Sequence, residues 1–293
     1  MSKFLIILLC SFSFAQTISD NVYTHAEVSA LAGAVVAEKG HIWNIIHNPA
    51  GITEVDGLHV AIGGGRLYGY DWLPASNLSC TAPVSEIGTI GFAFQQLQTK
   101  YSGKTLSVEQ TLSIAHGFDL QQDNNSHLAV GYTTNFVNWN LGKSAGVSGD
   151  GSDGLALGSL NSITIDFGVL ASLREKYRFG VLMKNINSGS IGKGITRQVL
   201  PRKINAGISY MPTIGLVTSI VSEYLLGRDD LQIKGSIKFT LNPYIIICAG
   251  AQSNPNRFGL GATFTSISKS ISYGLLTHPV LPITHQVTIG IIL

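Results

Sequence analysis

From residue 57 to the C-terminus, apolar and polar side chains alternate with a period of two. Leu231, Ile233, Ile237, Phe239 and Leu241 share one face with Gly235, while Gln232, Lys234, Ser236, Lys238 and Thr240 share the other. Ile163, Ile165, Phe167, Val169, Ala171 and Leu173 alternate with Thr164, Asp166, Gly168, Leu170, Ser172 and Arg174. The same pattern sets Ile204, Ala206, Ile208 and Tyr210 against Asn205, Gly207 and Ser209, and Val287, Ile289, Ile291 and Leu293 against Thr288, Gly290 and Ile292. Alternation of this kind marks strands with one face in an apolar phase and one in a polar phase. It predicts fourteen strands, near 57–64, 75–82, 87–97, 104–118, 126–139, 160–174, 176–187, 202–211, 214–224, 231–241, 243–252, 256–266, 269–277 and 284–293.

A soluble β-sandwich alternates in the same way, so composition has to decide. Only 12% of the residues are charged, about half the ~25% usual in soluble domains. The polar faces carry Gly, Ser and Thr rather than dense charge, and glycine is abundant at 33 residues. Many strands approach the ~9–11 residues a tilted membrane strand needs, and no apolar run beyond the N-terminus is long enough for a spanning helix. These features predict an all-β fold, a transmembrane antiparallel barrel of about 14 strands that pairs its backbone groups internally. Its implied partners are outer-membrane lipid and the outer-membrane barrel assembly machinery. With 19 basic and 17 acidic residues, the chain lacks the cationic excess that binding nucleic acid through phosphates requires.

With both barrel ends periplasmic, connections 65–74, 98–103, 140–159, 188–201, 225–230, 253–255 and 278–283 face outward. The opposite set is 83–86, 119–125, Glu175, 212–213, Asn242 and 267–268, with Asn242-Pro243 and Met211-Pro212 as turns. Longer external loops suit an outer-membrane barrel; the 119–125 turn is the exception. Residues 1–15 have the form of a cleaved signal peptide, with Lys3, an apolar run from Phe4 to Cys10 and the Ser13-Phe14-Ala15 site, which implies export to the outer membrane. Residues 16–56 do not alternate. Ala26–Ala37 is small and partly helical, and the segment's apolar content predicts a hatch or plug in the lumen of a 57–293 barrel. Cys80 and Cys248 are expected as packed or lipid-facing thiols, although an exported chain permits a disulfide.

Ala30-Leu31-Ala32-Gly33-Ala34, followed by Asn48-Pro49-Ala50-Gly51-Ile52 before the first strand, resembles the N-terminal signature of FadL-type barrels, in particular the PorV/PorQ-like branch. Asp166-Phe167-Gly168-Val169-Leu170 with Phe179-Gly180-Val181 and Asn185-Ile186 is similar to that branch's central hairpin. Leu200-Pro201-Arg202 with Ala206-Gly207-Ile208-Ser209-Tyr210, Glu223, and the ending from Ser272 through Thr288-Ile289 continue the likeness over nearly the whole mature chain. The resemblance implies a hatch near the Asn48, Pro49, Ala50, Gly51 turn. It also implies one of two roles: a component of type IX-like protein secretion or surface attachment, with secreted cargo proteins as partners, or a FadL-like transporter of hydrophobic small molecules such as long-chain fatty acids. At 293 residues the chain is shorter than typical members, and it ends in Leu293 rather than an aromatic residue.

Strand parity aims Glu109, Asp166, Arg174, Arg178, Lys184, Glu223, Lys234 and Lys238 into the lumen. Both signs occur, so inter-strand ion pairs are expected rather than a charge-selective constriction. Tyr68, Tyr70, Trp72 and Trp139 lie near predicted rims and suit an interfacial girdle, while Trp43 lies in the hatch. No nucleophile motif accompanies His116, His278 or His285, and no metal-ligand spacing or phosphate loop occurs. The chain is therefore expected to be no enzyme and to need no cofactor or metal.

Overall fold

Each alternating segment pairs with its neighbour in sequence until the last returns to the first. A computed structural model describes residues 22–84, 87–101, 104–144, 146–149, 152–192, 197–227 and 230–293; the expected signal peptide lies outside them. The barrel strands are β1 (His59–Arg66), β2 (Pro74–Val84), β3 (Gly88–Tyr101), β4 (Lys104–Gln122), β5 (Ser126–Asn140), β6 (Ser159–Leu173), β7 (Tyr177–Lys184), β8 (Lys203–Thr213), β9 (Leu216–Leu225), β10 (Asp230–Asn242), β11 (Ile245–Gln252), β12 (Arg257–Ser266), β13 (Lys269–Leu276) and β14 (Thr284–Ile292). They form one closed antiparallel barrel of fourteen strands. The seam runs between β1 and β14, from His59 opposite Ile292 to Arg66 opposite His285. A two-residue ribbon, Ser190–Ile191 with Gln198–Val199, sits in the connection from β7 to β8.

The outer face is the apolar one. Ile163, Phe167, Ile208, Ile220, Ile233, Ile237, Phe239, Phe264, Ile271 and Ile289 are all exposed, whereas Ser79, Thr133, Thr164, Asp166, Ser209, Lys234 and Gln286 are buried on the inner face. Ile237 is 52% exposed near the middle of β10. Changing Ile237→Arg is expected to cost roughly 2–4 kcal/mol of folding free energy in a bilayer. Urea titration of refolding into lipid vesicles measures it; no loss would place this face against water.

Several connections differ from the sequence expectation. β3 runs to Tyr101, so the connection expected over 98–103 narrows to 102–103. β4 runs to Gln122, so the supposed long 119–125 turn shrinks to 123–125. Met211-Pro212 is not a turn but the end of β8, where the ladder slips between Tyr210 and Thr213; a bulge tolerates a residue that cannot donate to the ladder. Arg174 does not point into the lumen. β6 ends at Leu173, and Arg174 and Glu175 take left-handed backbone angles (φ 51° and 55°) in the exposed turn to β7.

β3 to β6 are longer than most other strands and rise on the long-loop side. Beyond Phe167, β6 has no β7 partner. Asn187 replaces one: its Nδ2 donates to the Ile163 carbonyl (2.9 Å) and its Oδ1 accepts from the Ile165 amide (3.1 Å).

Residues 22–56 fill the interior. Helix α1 spans Ala26–Ala30, α2 spans Asn44–His47, and a 3-10 turn covers Pro49–Glu54. Ala26–Ala37 is partly helical as expected: α1 covers its first turn and ends where Ala32 and Gly33 adopt positive φ (47° and 74°). Val28, Ala30, Leu31, Val35 and Trp43 pack on Cys248 of β11. Ile45, Ile46 and Ile52 pack on Ala93 and Ala115 of β3 and β4. Ala34 and Val36 meet Leu182 and Val221 of β7 and β9. Cys80 and Cys248 are both free thiols.

This segment lies on glycine. Gly117, Gly131 and Gly168 sit opposite one another across β4, β5 and β6, and a Cβ at any of them would collide with Asn48, Pro49 or the Ile52–Thr53 side chains. On the far wall, Gly250, Gly259 and Gly274 of β11, β12 and β13 leave the same room for the backbone of Ala26 to Ala32. Backbone seated on a strand needs residues without a side chain there.

Candidate functional site

The interior polar residues gather where the inner segment meets the barrel. Asn48 anchors the hatch turn. Its Nδ2 donates to the carbonyls of Val36 (2.6 Å) and Val169 (3.2 Å), and its Oδ1 accepts from the Ala50 amide (3.2 Å). Pro49 follows at the first position of the 3-10 turn, where its fixed φ suits the geometry. Asn48, Pro49, Ala50 and Gly51 are all buried. Asn48→Ala should destabilise the inner segment by about 1–3 kcal/mol, because it strands two buried carbonyls and an amide. Hydrogen exchange at Ala50 and Gly51 reports it, and unchanged protection would refute the anchor.

A charged cluster joins the middle of this segment to the wall. Lys238 Nζ lies 2.6 Å from Glu38 Oε2 and 3.8 Å from Glu27 Oε1. Glu38 also accepts from Ser219 Oγ (3.1 Å) and Ser209 Oγ (3.4 Å), with Arg178 at 3.9 Å. Trp43 Nε1 donates to Glu27 Oε2 (3.2 Å), and the Trp43 ring stacks on His41 at 4.6 Å between centroids. Burial alone would raise the Glu38 carboxyl, but the Lys238 ammonium and its neighbours outweigh it and hold it down at about 2. Burial, then the Lys238 charge, depresses His41 to about 4, and burial does the same to His25. Neutral His41 agrees with its contacts: Lys238 can only donate, so His41 Nε2, 3.0 Å away, accepts.

These shifts fix the sign of the pH response. The two histidines bind protons more readily when the segment is undocked, so docking weakens as pH falls from about 6.5 toward about 4. The Glu38 contribution is present above its ordinary range near 4.5 and is lost as pH falls toward about 2. Trp43 fluorescence, followed with Trp72 and Trp139 replaced by phenylalanine, is expected to change across pH 6.5–4. A flat profile would contradict the assignment.

A second cluster lies nearer the long loops. Glu223 Oε2 is 2.6 Å from Lys234 and its Oε1 3.6 Å from Lys203. Asp166 accepts from Asn135 Nδ2 (2.9 Å) and the Asn185 amide (2.8 Å). Lys184 lines the same cavity as His47 and Asp166, and Glu109 is buried on β4. A third cluster closes the short-turn side: His127 lies between Asp119 (2.7 Å) and Glu54 (2.9 Å), and Lys39 between Glu54 (2.5 Å) and Glu175 (2.7 Å).

A family model described as type IX secretion system membrane protein PorP/SprF matches residues 74–290. The chain belongs to the PorP/SprF family. The match runs from β2 into β14 and so covers most of the PorP/SprF barrel, but not the inner segment. The motifs pointed to the PorV/PorQ-like branch; the matching family is PorP/SprF, within the type IX setting the motifs implied. No curated protein matches the sequence. Among solved structures, the CymD monoaromatic hydrocarbon channel is 13% identical with a TM-score of 0.60, over 92% of this chain and 96% of that one. A TodX deltaS2S3 mutant monoaromatic hydrocarbon channel gives 11% identity and 0.61, over 91% and 97%. The Pseudomonas putida toluene transporter TodX gives 12% and 0.56, over 91% and 96%. These likenesses show that the PorP/SprF barrel shares the fold of those three proteins. Secretion components and channels are not enzyme classes.

Of the charges expected in the lumen of this PorP/SprF barrel, Arg178 and Lys238 converge on the inner segment's Glu38, and Glu223 and Lys234 pair with each other. Arg174 alone leaves the lumen. Glu27, Glu38 and His41 were not singled out from sequence. Glu38 had a signal, being an acid at the end of an apolar run, but its partner Lys238 stands 200 positions away.

Proposed function

We propose that this chain is an outer-membrane component of type IX-like protein export or cell-surface attachment, closed to free diffusion by its inner segment. One observation carries the reading beyond family membership. Residues 22–56 bridge the lumen, with the Pro49 turn seated on β4, β5 and β6 and α1 seated on β11, β12 and β13. Buried ion pairs tie the span to β10 between them. A barrel filled in this way offers its partners a rigid shape and a loop-bearing rim rather than a pore. On this reading the leader is cleaved after Ala15, the long connections face the exterior, and secreted cargo proteins meet that rim.

The test is deletion of the gene followed by proteomics of the cell surface and medium. Loss of exported proteins from the surface, or their accumulation in the periplasm, supports the proposal; unchanged profiles reject it. The second reading, a conduit for hydrophobic solutes, draws on the fold shared with hydrocarbon channels. Uptake of toluene and long-chain fatty acids by the same deletion strain decides it. Reduced uptake with normal secretion would replace the first reading by the second.

A further inference from the structure

On the long-loop side of the inner segment, the lumen opens into two adjoining cavities that share Tyr23, Lys203 and Glu223. The outer one reaches the loop residues Asn254 and Pro255 and is walled by Asp230, Gln232, Gln252 and Arg257. Arg257 is the unusual member. It begins β12 opposite Gln252 and is only 8% exposed. Its Nε has no hydrogen-bond partner, and among the described residues no carboxylate lies within ion-pair distance of its guanidinium. Lys203 and Lys234, by contrast, are already committed to Glu223. In the inner cavity Lys184 likewise has no ion-pair partner among the described residues, and Asn205 Oδ1 is unsatisfied.

Arg257 is nine-tenths buried as a residue and its Nε is sealed off unpartnered; its terminal nitrogens are left to face the cavity, where an anion would pair with a cation that lacks a counter-ion among the described residues. Its planar fork matches a carboxylate through two parallel bonds. Around it, Gln232, Gln252 and Asn254 present amides. Such walls satisfy peptide groups and do not favour an acyl chain.

We propose that Arg257 is the anchor of a carboxylate-binding site in the loop-side vestibule, which receives an acidic side chain or the terminal carboxylate of a peptide entering from outside. Lys184 supplies a second positive pole deeper in the same vestibule. The site rests on side-chain geometry and stands whether or not the chain serves secretion.

The experiment uses the full-length protein in detergent and fluorescence anisotropy with two labelled hexapeptides, one rich in Glu and one with Gln at the same positions and an amidated end. The acidic peptide is expected to bind, and its affinity to fall steeply with salt. Arg257→Gln should weaken it at least tenfold, Arg257→Lys should retain part of it, and Lys184→Gln should weaken it less. Heat-modifiable migration confirms that each variant is folded. Equal binding of the two peptides, or unaltered binding by Arg257→Gln, overturns the proposal. So does laurate displacing the peptide while the peptide's own affinity is indifferent to Arg257, since that would mark an acyl-chain site.

Discussion

Lys238→Met is expected to release the inner segment from the barrel wall, at a cost of about 3–5 kcal/mol, the range for removing one partner of a buried pair. The ammonium stands between two carboxylates, 2.6 Å from Glu38 and 3.8 Å from Glu27. Without it, both acids remain buried. Arg178 at 3.9 Å is the nearest replacement, and the hydroxyls of Ser209 and Ser219 offer dipoles only. Glu38→Gln should cost less, because Lys238 still faces Glu27. The double variant should recover part of the loss, since only Glu27 is then left without its cation. Cys248 is a native reporter. It lies opposite Lys238 in the ladder and is buried under Val28, Leu31 and Trp43. With Cys80 replaced by serine in the mature chain, maleimide labelling of Cys248 is expected to be slow in the parent and fast in Lys238→Met. Equal rates in all variants would show that the ion pairs do not hold the segment.

Gly131→Val is the second large expected effect. A Cβ there would overlap the Pro49 carbonyl, and neither side can give way cheaply. β5 is bound along its length to β4 and β6, while the turn is bound through Asn48. Overpacking of a tight site costs about 1–3 kcal/mol, and a clash of backbone against backbone belongs at the upper end or beyond it. The turn is therefore expected to lift from β4–β6. Single-channel recording in planar bilayers should show conductance in Gly131→Val that the parent lacks. Ala249→Val, which enlarges an exposed residue on the outer face of β11, should leave the parent behaviour intact. A silent Gly131→Val barrel with the protease resistance of the parent would mean that the glycine row has no role in seating the turn.

The strands were legible because their two faces meet different media. Ile163 to Leu173 and Leu231 to Leu241 alternate almost throughout, and the structure turns Ile163, Phe167, Leu231, Ile233, Ile237 and Phe239 outward as that alternation predicts. Legibility fails where the rule is local. Nothing in Arg174-Glu175 announces a left-handed turn, since neither residue is glycine or asparagine. The bulge at Met211-Pro212 imitates a turn signal. Leu170 is the apolar member of an otherwise polar face, and the reason lies in the inner segment: it is buried against Ala50 and Ala129. The inner glycines were visible as composition, but their purpose was not, because it depends on backbone more than sixty residues distant. The same holds for Glu38, whose partner Lys238 is named only by the closed barrel.

The seam between β1 and β14 joins the two ends of the barrel sequence, and the inner segment is the stretch of chain immediately before β1. Leu58 and Leu293 exchange backbone hydrogen bonds (3.2 and 2.8 Å) directly below that seam. The joint that closes the ring is therefore also the tether of the inner segment, so the first and last strands carry the lumen's filling as well as the circle.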